Sequence, residues 1–348
     1  MIMRSVLLGL VACIALTCAV LRSRDSLAEE AKNVTGRKVL AFYYTWYGNP
    51  EVSGRWFHWR SGESDFSLLE KNGLPVARVT NHPTIGLYDS NDPLVIAGHL
   101  KLAHGAGIDA FIATWWGQGD FTDKAFETAL DVADRIASYT KLTVYYETVP
   151  NRDPARAVDD LSYILEKYGG RESFFKVNGV PVIFIYGRAI GQLNANQWGA
   201  VVAEVRNKRR TIVIADTDSG TKPNEGDFDR FHFYNPVGRV KQGKKMDAFY
   251  RAYVKQHRAS EKIVCLTVIP GYDDTHVREP GTAVSRQNGE LYQNLWSSAA
   301  AAEPDWILIT SWNEWHEGSE VEPSVEDGRG YLDLTAKQAN AFKEAKTP

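Results

Sequence analysis

A single (β/α)8 barrel is the fold class this sequence predicts, and three observations predict it. Eight short apolar runs follow one another between residues 38 and 310, with the length and flanks of buried parallel strands. Segments with apolar residues at three- and four-residue spacing separate most of them, the alternation that builds a ring of βα units. No Gly-x-Gly-x-x-Gly and no phosphate loop follows the first run, which argues against an open doubly wound sheet.

The first strand is predicted at Val39–Tyr43. The long segment 48–91 carries Arg55-Trp56-Phe57-His58-Trp59 among several glycines and prolines, and reads as an elaborated first loop over the active face. A helix over Pro93–Gly105 leads into strand Asp109–Thr114. The helix Thr122–Tyr139 has its apolar face at Ala125, Ala129, Val132, Ala133 and Ile136, and returns to strand Leu142–Tyr146. Asp153 before Pro154 is a start signal for the helix Pro154–Tyr168. Strand Pro181–Tyr186, helix Asn194–Lys208 and strand Thr211–Ala215 come next. The link 216–229, rich in Gly, Asp and Thr, reads as a loop without a helix before strand Arg230–Phe233. Helix Lys244–His257, strand Ile263–Val268, helix Ser285–Ala302, strand Trp306–Thr310 and a last helix Gly330–Ala345 complete the circuit. No linker or shift of composition divides residues 38–348, so they form one domain.

Residues 1–28 read as a signal peptide or an N-terminal anchor. Arg4 precedes an apolar run from Val6 to Leu21, and Ser26-Leu27-Ala28 is a small-residue cleavage site. Left uncleaved, the run with Arg22 and Arg24 behind it would hold the chain at a membrane. Either outcome gives a secreted, periplasmic or cell-envelope protein, with residues 29–37 as a linker. Cys265 alone lies outside the leader, so no internal disulfide is expected and it reads as a buried small hydrophobe. A net charge of −3 leaves no footprint for nucleic acid. No Cys/His cluster has zinc spacing, and a monomer without metal or cofactor is expected.

In a barrel the strand ends carry the site. Here they read Tyr43-Tyr44-Thr45-Trp46-Tyr47, Trp115-Trp116, Tyr146-Glu147, Tyr186, Asp216 with Asp218, Phe233-Tyr234-Asn235, Tyr272-Asp273-Asp274 and, last, Trp312-Asn313-Glu314-Trp315-His316-Glu317. Ten tryptophans are more than packing needs. Brought to one rim, rings to stack on sugar faces and acids to bind hydroxyls form a carbohydrate cleft. Glu314 and Glu317 are three apart, so a helical turn after the strand would put their Cβ atoms about 5–6 Å from one another on one face. Such a carboxylate pair suits glycoside hydrolysis, and close like charges in an aromatic pocket keep one of them protonated near neutral pH. His-Glu-Gly-Ser-Glu lacks the second histidine of a zinc protease helix. His316 reads as a hydrogen-bonding support for the pair. Glu320 and Glu322 read as rim or structural.

YYTWYGNP from Tyr43, AGIDAFIATWWG from Ala106, IPGYDDTHVR from Ile269 and SWNEWHEGSEVEP from Ser311 closely resemble glycoside hydrolase family 99, over roughly residues 38–330. The resemblance implies a (β/α)8 barrel and a retaining, endo-acting, metal-free enzyme that cleaves α-mannosidic linkages in mannan or N-glycan-type oligosaccharides. It further implies that Glu314 deprotonates the sugar's 2-hydroxyl, which attacks the anomeric carbon to give a 1,2-anhydro sugar. Glu317 is then the general acid, and the base for the attacking water. By the same resemblance Tyr44, Trp46, Trp116, Glu147, Tyr234, Tyr272, Asp274 and Arg278 are substrate-binding positions, and Trp312, Asn313 and His316 beside the carboxylate pair are expected to bind substrate with them. Two features depart from the pattern or blur it. Ser319-Glu320-Val321 stands where the family has Thr-Gln-Ile, which adds a charge near the site. A neighbouring group of barrel proteins with an Asn-Glu-Trp-Ala-Glu-Gly stretch is glycosyltransferase-like. A related barrel enzyme on another polysaccharide and a non-catalytic carbohydrate-binding protein are therefore the alternatives.

Overall fold

The computed structural model describes residues 36–59, 77–217, 227–258 and 263–345. The leader, most of the linker and Asp218 lie outside them. Eight parallel strands form the barrel: β1 (Lys38–Tyr43), β2 (Ala110–Trp115), β3 (Lys141–Tyr146), β4 (Val180–Ile185), β5 (Ile212–Asp216), β6 (Arg230–His232), β7 (Ile263–Val268) and β8 (Trp306–Ile309). β1 pairs with β8 and β2, and pairing of Tyr145 and Tyr146 on β3 with Phe184 and Ile185 on β4 makes the ring continuous. The outer layer holds α1 (Pro93–Gly105), α2 (Phe121–Arg135), α3 (Pro154–Lys167), α4 (Ala195–Lys208), α5 (Met246–Arg258), α6 (Glu290–Ala301) and α7 (Gly330–Glu344).

Period-two alternation of each strand divides the core into two layers. Leu40, Phe42, Ile112, Val182, Phe184, Ile214, Cys265 and Leu308 fill the barrel, whereas Val39, Ala41, Phe111, Ala113, Ile183, Val213 and Ile307 face the helices. Cys265 is fully buried, as its apolar run predicts. Asp92, Asp120 and Asp153 cap α1, α2 and α3 through side-chain oxygens, and Asn194 with Gln197 forms a capping box on α4. The helix predicted to reach Tyr139 stops at Arg135, since Ala137 adopts a left-handed conformation and Tyr139 is exposed. Arg37, counted with the linker, already belongs to the domain: its guanidinium donates to the Phe342 carbonyl at 2.9 Å and lies over that ring.

The N-terminal end of the barrel is pinned by aspartates placed just before even-numbered strands. Asp109, Asp229 and Asp305 each accept a 2.8 Å hydrogen bond from the second residue of the preceding strand, Val39, Val213 and Val264. Lys343 lies 2.8 Å from Asp109, and Arg206 pairs with Asp229.

Candidate active site

Residues 311–322 form a loop that folds back on itself at the C-terminal end of β8. Ser311 N donates to the Ser319 carbonyl at 2.8 Å, and Glu322 N donates to the Trp312 carbonyl at 2.9 Å. Between these ties lies a single turn, Trp315–Glu317, which Gly318 ends with a φ of 54°. A Cβ at Gly318 would meet Asp273 N and Thr80 Oγ1 at 3.2 Å, so only glycine suits both the conformation and the space. The turn presents Glu314 and Glu317 together.

Buried side chains hold this loop from beneath. Asn313 is fully buried. Its Oδ1 accepts from Tyr44 N at 2.7 Å, and its Nδ2 donates to the Tyr44 carbonyl and to Tyr88 Oη, each at 2.9 Å. Tyr88 in turn donates to Glu322 at 2.8 Å, and His99 lies 3.0 Å from the same carboxylate. Trp312 is also fully buried, edge-on to His99 and Phe111 between barrel and helices. The expectation that Trp312 and Asn313 contact substrate is therefore corrected: both brace the loop. Glu320 and Glu322 are buried structural groups, not rim residues. Arg286 donates to the Gly318 carbonyl (3.1 Å), the Glu320 carbonyl (3.0 Å) and the Glu320 carboxylate, whose Oε1 also accepts from Asn81 at 2.7 Å. Arg286 runs so close over Gly271 that a Cβ there would come within 2.3 Å of its Cγ.

The carboxylate of Glu317 is held from two sides. Tyr234 Oη donates to Oε2 at 3.2 Å and itself accepts from Tyr44 Oη at 2.6 Å. Arg278 donates to Oε1 at 3.1 and 3.2 Å, and the same guanidinium reaches Tyr272 Oη at 2.6 Å and pairs with Asp274. Glu314 is 3% exposed; its carboxylate accepts from His316 N at 3.2 Å. Burial first, then the neighbouring Glu317 charge, push the Glu314 carboxyl well above the usual range. Burial also raises Glu317, opposed by Arg278 and by the hydroxyls of Tyr234 and Tyr272. The pair thus keeps a proton where an isolated glutamate would have none.

Glu147 joins this pair from β3. It is 2% exposed, Thr114 donates to it at 2.7 Å, and burial pushes it up to about 7. Burial works to raise Asp274 too, but hydrogen bonds from Arg278, Thr282 N and Tyr272 outweigh it and hold that carboxyl below the ordinary range. Burial and the facing His58 lower His316 to about 4, so its ring is neutral near pH 7, edge-on to Tyr47. The aromatic wall is formed by Trp46, stacked on His58 at 4.5 Å, and half-buried Trp116, 6.5 Å from Trp46. A hollow of about 300 Å³ opens between Trp46, His58, Trp116 and Asp120. A larger one of about 610 Å³ opens beside Tyr186, Asp216 and Tyr234.

The structure therefore gathers Tyr44, Glu147, Tyr234, Tyr272, Asp274, Arg278, Glu314 and Glu317 into one cluster, with Trp46, Trp116 and His316 along its side. Sequence reasoning missed the supports Thr114, Tyr88 and Arg286. No pattern marks them, since each acts through a partner distant in the chain. Among the described residues no group of three or more His, Cys, Asp or Glu side chains is placed to hold a metal ion.

Residues 35–346 match the family model described as Glycosyl hydrolase family 99. The chain is 28% identical to the glycoprotein endo-alpha-1,2-mannosidase of Rattus norvegicus, over 88% of this chain and 72% of that protein. The Xenopus laevis protein of the same name is 27% identical over 88% and 77%. The GH99 endo-alpha-mannosidase structure from Bacteroides thetaiotaomicron superposes with a TM-score of 0.76 at 26% identity, covering 89% of this chain and 98% of that one.

Proposed function

The chain belongs to glycosyl hydrolase family 99 and is an endo-α-mannosidase-like glycoside hydrolase, and from that premise we propose a retaining cleavage of internal α-mannosidic bonds through a 1,2-anhydro sugar. The observation that carries this reading is the Glu314/Glu317 pair: two acids on one short turn, Glu314 buried and raised by burial and by the Glu317 charge, Glu317 partly buried and raised by that burial. Neither needs to reach the anomeric carbon if the substrate supplies its own nucleophile.

In the first step Glu314 takes the proton of the 2-hydroxyl and O2 attacks C1. The C1–O bond to the leaving sugar breaks, and Glu317 gives its proton to that oxygen. In the second step the Glu317 carboxylate takes a proton from water, whose oxygen attacks C1. The C1–O2 bond opens and Glu314 returns its proton to O2. Two inversions at C1 give net retention.

This sequence needs one proton on the pair, on Glu317, when the glycosidic oxygen arrives. Without substrate, Arg278 favours the ionised form of Glu317. A 2-hydroxyl donating to Glu314 stabilises the Glu314 anion and moves the proton across, so that substrate binding itself sets the acid. The test is cleavage of an α-1,2-mannooligosaccharide with product mass and anomeric configuration read directly, beside its 2-deoxy analogue. Retained configuration and an inert analogue are expected; normal cleavage of the 2-deoxy sugar sinks the anhydro route.

The leader lies outside the described residues. We propose export from the run Val6 to Leu21 and the site at Ala28. N-terminal sequencing of protein recovered from the envelope or medium checks it.

A further inference from the structure

The 610 Å³ hollow beside Tyr234 has an outer wall of unusual chemistry. Two exposed arginines, Arg152 and Arg188, line it. Arg188 is stacked over the rings of Trp116 and Tyr186, at 4.7 and 5.4 Å from their centres. Neither arginine has a side-chain hydrogen bond or ion pair among the described residues, although the Arg188 charge works to lower the Glu147 carboxyl through space.

The side-chain acceptors of the same wall are already used. Asp216 is fully buried and accepts from Tyr145 Oη and from Gly187 N, each at 3.2 Å. Gln192 Oε1 takes Val149 N at 2.6 Å, and Asn235 Oδ1 takes Val237 N at 2.8 Å. What the wall offers is donors, the Tyr186 hydroxyl apart. An arginine brings five N–H donors and no acceptor. A neutral sugar presents hydroxyls that both give and take, and a wall built for it mixes the two kinds. A wall of free forked donors fits oxygens that only accept.

We propose that the Arg152–Arg188 wall is a subsite for an anionic substituent of the glycan, a phosphate ester or a carboxylate. The proposal rests on the chain being a glycan-cleaving enzyme. The anion sits beside the reacting centre rather than on it, because Glu147, Glu314 and Glu317 crowd the centre itself. Guanidinium groups pair with phosphate and carboxylate through two parallel hydrogen bonds, which fixes orientation as well as charge.

Three α-mannooligosaccharides of equal length test this: one neutral, one bearing a phosphate monoester, one with a uronic acid. With the full chain, kcat/KM for one or both anionic sugars exceeds that for the neutral one by at least about tenfold at low salt, and the advantage shrinks as salt rises. Arg152→Gln, which keeps the Arg188 charge near Glu147 and its place over Trp116, lowers the ratio at least about threefold while the neutral substrate changes by less than about threefold. Preference for phosphate or for uronate identifies which anion the wall takes. An anionic-to-neutral ratio at or below one in the unaltered chain overturns the proposal, as does an unchanged ratio in Arg152→Gln. Binding of the same sugars to Glu317→Gln protein, measured by calorimetry, decides the matter without turnover. A chain that binds the anionic sugars more tightly and cleaves none would keep the subsite and overturn the hydrolase mechanism instead.

Discussion

The two ends of the barrel both carry carboxyl side chains, in opposite states. At the N-terminal end Asp109, Asp229 and Asp305 each close a hydrogen bond to a neighbouring strand, and two of them pair with a cation. At the C-terminal end Glu147, Glu314 and Glu317 are held in a mostly water-excluded cluster whose contacts leave them short of full stabilisation, so their protons come off late. The difference is burial rather than bond count: the side chains of Asp109 and Asp229 are 29% and 25% exposed, whereas Glu147 and Glu314 are 2% and 3% exposed, and an acid kept from water has a proton to trade.

The largest effect expected from this contrast is at the pair itself. Glu314→Gln should lower kcat/KM by about 10³–10⁴ on every α-mannoside, including one with an activated leaving group. Glu317→Gln should lose a similar factor on natural linkages yet recover most of it with the activated leaving group. Full activity of Glu317→Gln on a natural linkage would break the assignment. Next comes Arg278→Met, expected to cost about 10–10² in kcat by loosening Glu317. Arg278 lowers the Glu317 pKa, so its removal raises it. The alkaline limb of the kcat/KM profile, set by loss of the acid's proton, should then move to higher pH.

A subtler effect belongs to Glu147, whose carboxyl burial pushes up to about 7. Glu147→Gln should erase any inflection near that pH. Thr114→Val, by deleting a bond that stabilises the anion, should shift the inflection upward; a downward shift would contradict the hydrogen-bond argument. At the other end of the barrel the prediction reverses. Asp305→Ala leaves Val264 N without its acceptor and should cost about 1–3 kcal/mol of stability in thermal unfolding, with kcat/KM unchanged. The smallest expected effect is none: activity should survive EDTA, and its loss would bring a metal into the reaction.

Strand order and helix order were legible because apolar period announces them. All eight strands lie within a residue or so of the expected positions. Tyr44, Trp116 and Glu147 could be picked out because each stands at a strand end where aromatic and acidic side chains gather. Trp312 misled because the backbone leaves strand geometry after Ile309, so alternation no longer says which way a side chain points. Asn313 misled for another reason: an amide that ties backbone to backbone looks, in a sequence, the same as one that meets a sugar. The start of α6 at Glu290 rather than Ser285 reflects Gly289, whose φ of 91° sets the helix entry. Arg152 and Arg188 carry no motif, and only the cavity gives them a meaning.

Gly271, Arg286 and Glu320 are far apart in the chain but cannot vary alone. A side chain at 271 would displace Arg286, and without Arg286 the buried carboxylate of Glu320 loses its cation and the Gly318 turn loses two carbonyl ties. For anyone shuffling loops between relatives, these three positions are one cassette. A graft of the seventh loop that leaves Glu320 behind, or of the eighth that leaves Arg286 behind, should yield clones whose barrels form but whose acid sits loosely. Changing all three together is the transplant with a chance of keeping the catalyst intact.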